Sequence, residues 1–520
     1  MKKVLVIGLD GARLDVLTKW SEQGYLQTIS KILNEGAHGT LKSVLPVHSF
    51  PAWTSLSTGV YPPKHGIYNV LLRNKDCYER IPPNSTMVKV KRFWEILDEF
   101  NYRCCIVNVP VSYPPKPLKE GVIVSSVLSP STDHVFAYPK EIWKMLRKHG
   151  YKILPTAKPG TERYIEEVHE ILDKQYSFVK WYMENHEWDL VFWVIMSTEM
   201  LHHHYATFVD PSHPLYKSEY EEIVRDLYIK VDRYIAELMK SLNKNYVLFI
   251  VSDHGFAPYY GVVYLNAFLR KHGLLKTRHR FTVLKYYLLL LAKRLGKKVY
   301  NYLPKDLKEK AIKVTGFGAS EFTLDLIDWS RTKAYVPFLD GHISINLRGR
   351  EKNGIVKEEE YQPVVKEIIN AINKDPELSK LIIAKPKYEV YADGEYLDNA
   401  PDIFLLFEEA NNKPFKIKTN PFTKKYVDFE LTQFKENIGY HTLYGAFLAY
   451  GCNIKQKYHR HANIVDIAPT VLTIFKIKPP MYMDGSILSD IFTSSVKPSY
   501  DIRDLIKQRL KDIIDRKVMK

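Results

Sequence analysis

Three long apolar runs mark the chain, and they cover residues 4–9, 189–196 and 246–251. Apolar residues follow one another in these runs almost without interruption, which is typical of strands in a parallel sheet covered on both faces. An acidic residue follows each run closely, as Asp10, Glu199 and Asp253. Because the binding site of an open α/β sheet lies beyond the carboxyl ends of its strands, these three acids are candidate site residues.

Segments with helical periodicity alternate with further short apolar runs. The predicted helices cover residues 14–20, 26–35, 90–100, 164–185, 219–242, 358–373 and 467–475, and two more begin at 49 and 140. The other predicted strands cover residues 39–45, 104–109, 122–127, 333–336, 342–347, 381–391, 402–407 and 443–450. This alternation predicts an α/β fold with a mostly parallel sheet.

The segment around Ser49 follows a predicted strand and opens a predicted helix, with Pro51 in the first turn. A hydroxyl at a helix start faces unpaired N–H groups and the positive end of the helix dipole. Both features favour an alkoxide and the anion that it attacks, so Ser49 is a candidate nucleophile. The alternative interpretation is that Ser49 serves only as the N-cap of this helix.

Further acids and histidines form two groups that suit a metal. The first group contains Asp10, Asp253 and His254, and the second contains Glu199, His203 and His441. Carboxylate and imidazole ligands in this mixture suit zinc, with manganese or magnesium as alternatives. Glu199 and His203 lie four positions apart and so share one face of a helix. Two such groups beside Ser49 would make a two-metal site.

Each of these candidates also has a purely structural interpretation. Asp10 could end a strand in a turn, the pair Asp253 and His254 could form a cap and turn, and His441 could be a buried core histidine. Separate structural roles would not explain why all of these residues are present. We therefore treat them as one site.

The composition fits a large enzyme with a substantial core, since 45% of the 520 residues are hydrophobic. Four cysteines without CxxC spacing favour a reducing, cytoplasmic environment over a disulfide framework. The first apolar run is too short for a signal peptide, and no stretch reaches the roughly 18 apolar residues of a membrane span. Abundant Lys and Ile with few Gln are typical of proteins from thermophiles.

The net charge of +16 is concentrated in one segment. Residues 270–313 contain 14 Lys or Arg and two acids. We predict that they belong to a basic helical insertion at about 268–330, which contacts an anionic membrane surface or nucleic acid, or else forms a solvated helical pair. The rest of residues 1–490 is predicted to be one catalytic domain. Residues 491–520 carry Ile and Leu at helical spacing, which predicts an amphipathic tail helix.

Five motifs follow one another along the chain. They are VIGLDG at 6–11, SFPAW at 49–53, Glu199 with His203, SDHGF at 252–256, and GYH at 439–441. In this order they resemble the alkaline phosphatase superfamily, nearest the branch of type I phosphodiesterases and nucleotide pyrophosphatases. The resemblance extends over about residues 4–490 and implies a three-layer α/β/α fold, with a mostly parallel central sheet and an inserted helical cap.

The same resemblance implies roles for individual residues. It places one metal ion on Asp10, Ser49, Asp253 and His254, and a second metal ion on Glu199, His203 and His441. It also implies that Ser49 carries the phosphoryl group as a covalent intermediate.

The chain departs from the family pattern at several positions. Glu199 stands where the family usually has Asp, and Ser49 stands where it often has Thr. Ala52 replaces an Asn that many nucleotide pyrophosphatases carry, which weakens the case for a nucleotide substrate. Trp53 occupies the position of the Arg in the sulfatase motif, so a sulfatase is disfavoured.

The sequence therefore predicts a metal-dependent phosphohydrolase of the phosphodiesterase or pyrophosphatase type, acting on small phosphate esters. A phosphotransferase or phosphomutase, in which a second hydroxyl replaces water, is the alternative within the superfamily. A non-catalytic protein that binds anions through residues 270–313 is a second alternative, and the complete set of candidate ligands argues against it.

Overall fold

The computed structural model describes most of the chain. The described residues are 3–73, 78, 80–129, 133–242, 245–278, 324, 326–337, 341–407, 413–431 and 438–494. Most of the basic insertion predicted at 268–330 lies outside the described residues, and so does the predicted tail beyond residue 494.

A large central sheet organises the fold, and ten of the described strands belong to it. In chain order these strands are β1 Lys3–Leu9, β2 Ala37–Lys42, β3 Cys104–Val107, β4 Val122–Val124, β5 Ala137–Tyr138, β6 Leu190–Ile195, β7 Tyr246–Val251, β8 Tyr444–Gly451, β9 Tyr458–His459 and β10 Ala462–Asn463. Their spatial order is β9, β2, β8, β7, β1, β6, β3, β4, β5, with β10 also paired to β2. The pairs along the middle of the sheet are parallel, whereas β8 runs antiparallel to both β2 and β7.

The three apolar runs form the centre of this sheet, as the sequence predicted. Val4 of β1 pairs with Leu190 of β6 on one side and with Val247 of β7 on the other. Every residue of β6 is buried. Because β1, β6 and β7 are parallel neighbours, their carboxyl ends meet at one edge of the sheet, where a site is expected.

Helices cover both faces of the sheet and complete a three-layer α/β/α arrangement. The described helices are Leu14–Glu22, Gln27–Glu35, Ser49–Thr58, Pro62–His65, Phe93–Glu99, Lys140–Lys148, Glu162–Asn185, Ser197–Tyr205, Ser218–Lys240, Leu265–Lys271, Glu358–Lys374, Lys387–Val390 and Ile467–Ile474. Trp53 of the helix Ser49–Thr58 packs against Phe192 of β6. Gly8 of β1 permits this close packing, since a Cβ there would lie 2.4 Å from the Trp53 ring.

One predicted strand is partly wrong. Of residues 381–391, only Ile383–Pro386 form a strand, and the chain then turns into the helix Lys387–Val390. Pro386 cannot donate to a sheet ladder and has a restricted φ, so it ends the strand and leads into the helix. The strand pairs antiparallel with Ile403–Leu406.

A short sheet that the sequence did not predict completes the site edge. Gly255–Pro258 pairs antiparallel with Gly439–Thr442, so that Phe256 lies opposite His441. This pairing brings residue 441 next to the end of β7, where Asp253 and His254 are located.

Three other small sheets occur among the described residues, two in the later part of the chain and one at residues 72–81. They are formed by Val262–Tyr264 with Lys416–Lys418 and Val427–Asp428, by Ala334–Tyr335 with Ser344–Ile345, and by Leu72–Arg73 with Arg80–Ile81. A second apolar cluster, which includes Phe268, Ile368 and Leu405, packs around the first two of these sheets. None of the described helices has the length and hydropathy to cross a bilayer.

Candidate active site

The seven residues predicted from the sequence meet at the carboxyl edge of the central sheet. Asp10 follows β1, and Ser49 is the first residue of the helix Ser49–Thr58. Glu199 and His203 lie on the helix Ser197–Tyr205, which begins directly after β6. The remaining three are Asp253 and His254 after β7, and His441 in the short strand Gly439–Thr442. All are buried except His203, whose side chain is 30% exposed.

Ser49 lies between the two predicted groups. Its Oγ is 3.4 Å from Asp10 Oδ1 and 3.2 Å from His254 Nε2, and its O–H donates to Glu199 Oε1 at 3.1 Å. The N-cap of this helix is His48, whose Nδ1 accepts from the Phe50 N–H at 3.5 Å. The interpretation of Ser49 as an N-cap is therefore wrong, because its hydroxyl faces the acids and histidines instead.

The first group is held together by hydrogen bonds from its surroundings. His254 Nε2 lies 3.6 Å from Asp10 Oδ1 and 3.2 Å from Asp253 Oδ2. The Gly11 N–H donates to Asp253 Oδ1 at 3.2 Å. The indole N–H of Trp53 donates to Asp10 Oδ2 at 2.8 Å. These three side chains offer ligand atoms close enough to share one metal ion.

The second group is centred on Glu199. Its Oε1 lies 3.3 Å from His203 Nε2 and 3.2 Å from His441 Nε2, and the two imidazole nitrogens are 3.4 Å apart. The rings of His441 and His254 stack at 4.0 Å, so the two groups are in contact. Glu199, His254 and His441 also satisfy the distance requirement for one metal ion.

Three buried carboxyl groups lie close together in the site, and their surroundings shift the pKa of each one. Burial, together with repulsion from Asp253 and Glu199, raises the pKa of the Asp10 carboxyl. Burial and repulsion from Glu199 raise the pKa of Asp253 in the same way. Burial also opposes ionisation of Glu199, but hydrogen bonds with His203 and His441 outweigh it and hold the pKa of Glu199 well below its usual range.

Divalent metal ions fit this arrangement. Within the described part of the chain, no Lys or Arg forms an ion pair with these three carboxylates. Asp253 Oδ2 is buried and forms no hydrogen bond there, although His254 Nε2 lies 3.2 Å away. A buried carboxylate oxygen that lacks a donor needs a cation to offset its desolvation. Mixed nitrogen and oxygen donors are the ligand type that zinc and manganese accept.

The three consecutive histidines on the helix Ser197–Tyr205 point in different directions. His203 faces Glu199 and His441, as its spacing from Glu199 predicted. His202 is buried between Phe208 and Tyr228. His204 packs edge-on against Tyr164 at the margin of a cavity beside Ser49. Helical geometry alone allows either His202 or His203 to lie near Glu199. The tertiary structure shows that His203 does.

Comparison with known proteins places this geometry in a family. The profile described as type I phosphodiesterase / nucleotide pyrophosphatase matches residues 4–413. The chain belongs to this family. No curated protein sequence matches the chain.

Solved structures of distant relatives share the fold. The human ectonucleotide pyrophosphatase / phosphodiesterase 5 has 15% identity and a TM-score of 0.54, and the match covers 95% of this chain and 100% of that chain. An inactive form of the murine protein in complex with AMP has 14% identity, the same coverage and a TM-score of 0.54. Phosphonoacetate hydrolase from Sinorhizobium meliloti, in complex with phosphonoformate, has 15% identity, coverage of 90% and 94%, and a TM-score of 0.54.

Membership of this type I phosphodiesterase family makes the chain a phosphoester hydrolase, and members of the family are metal-dependent. The family acts on small phosphate esters such as nucleotides. The predicted family, the α/β/α fold and the hydrolase class are thereby confirmed.

Sequence reasoning missed two residues that shape the site of this phosphodiesterase family member. Trp53 was considered as the last residue of the SFPAW motif and as a departure from the sulfatase motif, but not as a partner of Asp10, to which its indole N–H donates. Its position four residues after Ser49 was the available signal, since both side chains then share one helix face. His48 was not considered; burial, and then the neighbouring His441, lower its pKa to about 3, so it is neutral beside the site.

Proposed function

We propose that this protein is a two-metal phosphodiesterase or pyrophosphatase that acts through a phosphoseryl intermediate on Ser49. The observation that supports the proposal is the position of the Ser49 hydroxyl, which lies within 3.4 Å of Asp10, Glu199 and His254. A serine that only supported the helix would direct its hydroxyl to the helix backbone.

The metal ligands follow from the two groups. Asp10, Asp253 and His254, together with Ser49, would hold one divalent ion, and Glu199, His203 and His441 would hold a second. We propose zinc, with manganese or magnesium as alternatives. When bound, such ions favour the serine alkoxide and offset the negative charge of the phosphoryl group.

The groups that react are the Ser49 hydroxyl and then a water molecule. Ser49 Oγ, as an alkoxide at the first turn of its helix, attacks phosphorus in line with the departing alcohol oxygen. The Ser49 hydroxyl first releases its proton to solvent. The new Oγ–P bond forms as the bond from phosphorus to the leaving oxygen breaks, and the leaving oxygen takes up a proton from solvent. Water then attacks the phosphoserine from the side that the leaving group vacated: its oxygen bonds to phosphorus as the Oγ–P bond breaks, one of its protons restores the Ser49 hydroxyl, and the phosphate monoester is released.

The experiment that tests this function compares three aryl substrates. The metal-loaded protein is assayed with 4-nitrophenyl phosphate, bis(4-nitrophenyl) phosphate and 4-nitrophenyl sulfate. We expect the diester to be turned over with the highest kcat/KM and the sulfate to be inert. Preference for the monoester would contradict the diesterase assignment, and absence of turnover on all three would contradict hydrolysis of aryl esters.

The covalent intermediate is tested separately. Acid quenching during turnover, followed by peptide mass spectrometry, should find a phosphoryl group on Ser49. Ser49→Ala should remove both the adduct and turnover. Ser57→Ala is the matched control, because Ser57 is buried on the same helix but its hydroxyl donates to the Thr54 carbonyl. Turnover by Ser49→Ala at the wild-type rate would exclude Ser49 as the nucleophile.

We retain two broader proposals from the sequence. Residues 1–490 form one catalytic domain with a basic insertion at about 268–330, and residues 491–520 form a helical tail. We further propose that residues 270–313 contact an anionic membrane surface or nucleic acid, and that the protein is cytoplasmic.

A further inference from the structure

A cavity of about 440 Å³ lies between the helices Lys140–Lys148 and Glu162–Asn185. None of the seven candidate site residues is among the described residues that line it. On the second helix its lining begins at Lys174, ten positions after Tyr164, which lines the cavity beside Ser49. At a rise of 1.5 Å per residue, ten positions correspond to about 15 Å. The cavity is therefore separate from the catalytic site.

The inner wall of this cavity is apolar. Its members are Met145, Leu146, Tyr151, Phe178 and Trp181. Leu146, Tyr151 and Phe178 are buried. The Tyr151 O–H donates to Asn108 Oδ1 at 3.1 Å, so this residue presents mainly its ring to the cavity. A hydrocarbon group gains free energy on leaving water for such a wall, whereas a peptide or a sugar would lose hydrogen bonds there.

The mouth of the cavity is polar and positively charged. The exposed residues that line it are His149, Lys174 and Ser177. Lys174 Nζ donates to the His149 carbonyl at 3.0 Å, which holds the ammonium group beside the mouth. An ammonium group has three N–H donors, and this bond uses one of them. Among the described residues that line the cavity, none is Asp or Glu.

An apolar interior with a cationic mouth is complementary to an anion that carries a hydrocarbon chain. The last turn of the helix Lys140–Lys148 adds Arg147 and Lys148 to the positive charge near the mouth. Taking roughly 30 Å³ per water molecule, the cavity has room for about 15 heavy atoms. This size fits a chain of about 12 carbon atoms that ends in a carboxylate.

We propose that this cavity binds a free long-chain carboxylate, with its hydrocarbon chain against Phe178 and Trp181 and its carboxylate beside Lys174. Positions 174, 178 and 181 share one face of the helix Glu162–Asn185, so the charged end and the aromatic wall lie along one line. The site does not depend on the phosphodiesterase function proposed above.

The test is calorimetric titration of the full chain with hexanoate, decanoate and dodecanoate, each below its micellar concentration. We expect one molecule per chain, with an affinity that rises by up to about fourfold per buried methylene group. Dodecyltrimethylammonium has the same chain length and the opposite charge. It should bind about fivefold more weakly than dodecanoate, because it loses the pairing with Lys174.

Two variants connect binding to the cavity. Ser177→Trp places an indole in the mouth and should lower the affinity for dodecanoate at least ~tenfold, whereas Ser177→Ala should keep it. Lys174→Glu should reverse the preference between dodecanoate and dodecyltrimethylammonium. Lys240→Glu is the matched control, since Lys240 is an exposed lysine in the last turn of the helix Ser218–Lys240. Thermal unfolding of each variant confirms that the fold is kept.

The outcomes decide between this site and other sources of binding. Absence of dodecanoate binding, equal affinity in wild type and Ser177→Trp, or an unchanged charge preference in Lys174→Glu would each overturn the proposal. Sedimentation with phosphatidylglycerol vesicles, without binding of free dodecanoate, would assign this surface to a membrane instead. A dodecanoate-dependent rise in KM for the aryl diester would place the carboxylate in the catalytic site and would also overturn the proposal.

Discussion

Glu199 Oε1 lies 3.1 Å from Ser49 Oγ, although 150 positions separate the two residues. The same oxygen lies within 3.3 Å of His203 and His441, so one carboxylate connects the serine to both histidines. The Glu side chain, which is one methylene longer than Asp, allows the carboxylate to reach across the site.

Shortening Glu199 should weaken the site without destroying it. In Glu199→Asp the carboxylate withdraws by one methylene from Ser49, so we expect partial activity. Glu199→Gln keeps the length but removes the charge, and should lose one of two bound metal ions and at least ~100-fold in kcat/KM. Metal content by mass spectrometry and steady-state kinetics check both variants. Two bound ions and full activity in Glu199→Gln would show that Glu199 is not a ligand.

Trp53 should act as a positioning residue for Asp10. Its indole N–H donates to Asp10 Oδ2, and Trp53→Phe removes that donor while keeping an aromatic ring in the core. Loss of a partner of this kind typically weakens metal affinity by about 10–100-fold. Titration with a competing chelator measures the affinity. Trp20→Phe is the control, because the Trp20 N–H donates to Glu221 outside the site; equal losses in both variants would refute a specific role.

His202 and His203 should respond differently to replacement by Ala. His203→Ala removes a neighbour of Glu199 and His441, so we expect loss of one metal ion with little change in the free energy of unfolding of the metal-free protein. His202→Ala leaves a hole between Phe208 and Tyr228 and should lower that free energy by about 2–3 kcal/mol, with two ions still bound. Chemical denaturation measures the free energy of unfolding of each variant, and metal analysis measures the number of bound ions. Loss of a metal ion in His202→Ala, with both ions kept in His203→Ala, would show that His202 is the ligand.

A buried ion pair outside the site should make stability depend on pH. Asp402 is fully buried and accepts two hydrogen bonds from Arg350, at 2.7 and 2.6 Å. Burial opposes ionisation of Asp402, but Arg350 outweighs it and holds the pKa of that carboxyl well below its usual range. A lowered folded-state pKa contributes stability above the unfolded pKa of about 3.9, and that contribution is lost as the pH falls through the folded value.

Asp402→Asn tests this dependence. The variant leaves Arg350 without its partner, so the free energy of unfolding at pH 7 should fall by about 3–5 kcal/mol. The difference between wild type and variant should shrink below about pH 4, where Asp402 takes up a proton in the unfolded wild-type chain while it stays ionised in the folded protein. Urea denaturation from pH 3 to 8 measures it, with the exposed Asp133 as the control in Asp133→Asn. If the difference in the free energy of unfolding stayed constant from pH 3 to 8, it would contradict a lowered pKa of Asp402 in the folded protein.

Local patterns in the sequence were sufficient for the central strands and for most of the long helices. The run at 246–251 was predicted with the bounds that the structure shows, because strand and helix periodicities depend on a few neighbouring residues. The placement of Asp10 and Asp253 at strand ends followed from the same runs. The spacing of Glu199 and His203 followed from helical geometry.

Other features depended on contacts between distant segments. His441 reaches the site only because Gly439–Thr442 pairs with Gly255–Pro258, and two strands whose first residues lie 184 positions apart carry no local signal of their pairing. The contact of Trp53 with Asp10, the burial of His202 and the apolar cavity beside Phe178 likewise depend on how separate elements pack. The sequence by itself determined the central strands, the acids at their ends and the candidate ligands. Only the tertiary structure decided which side chains meet, because each such contact joins elements whose separation in the chain leaves their mutual position open.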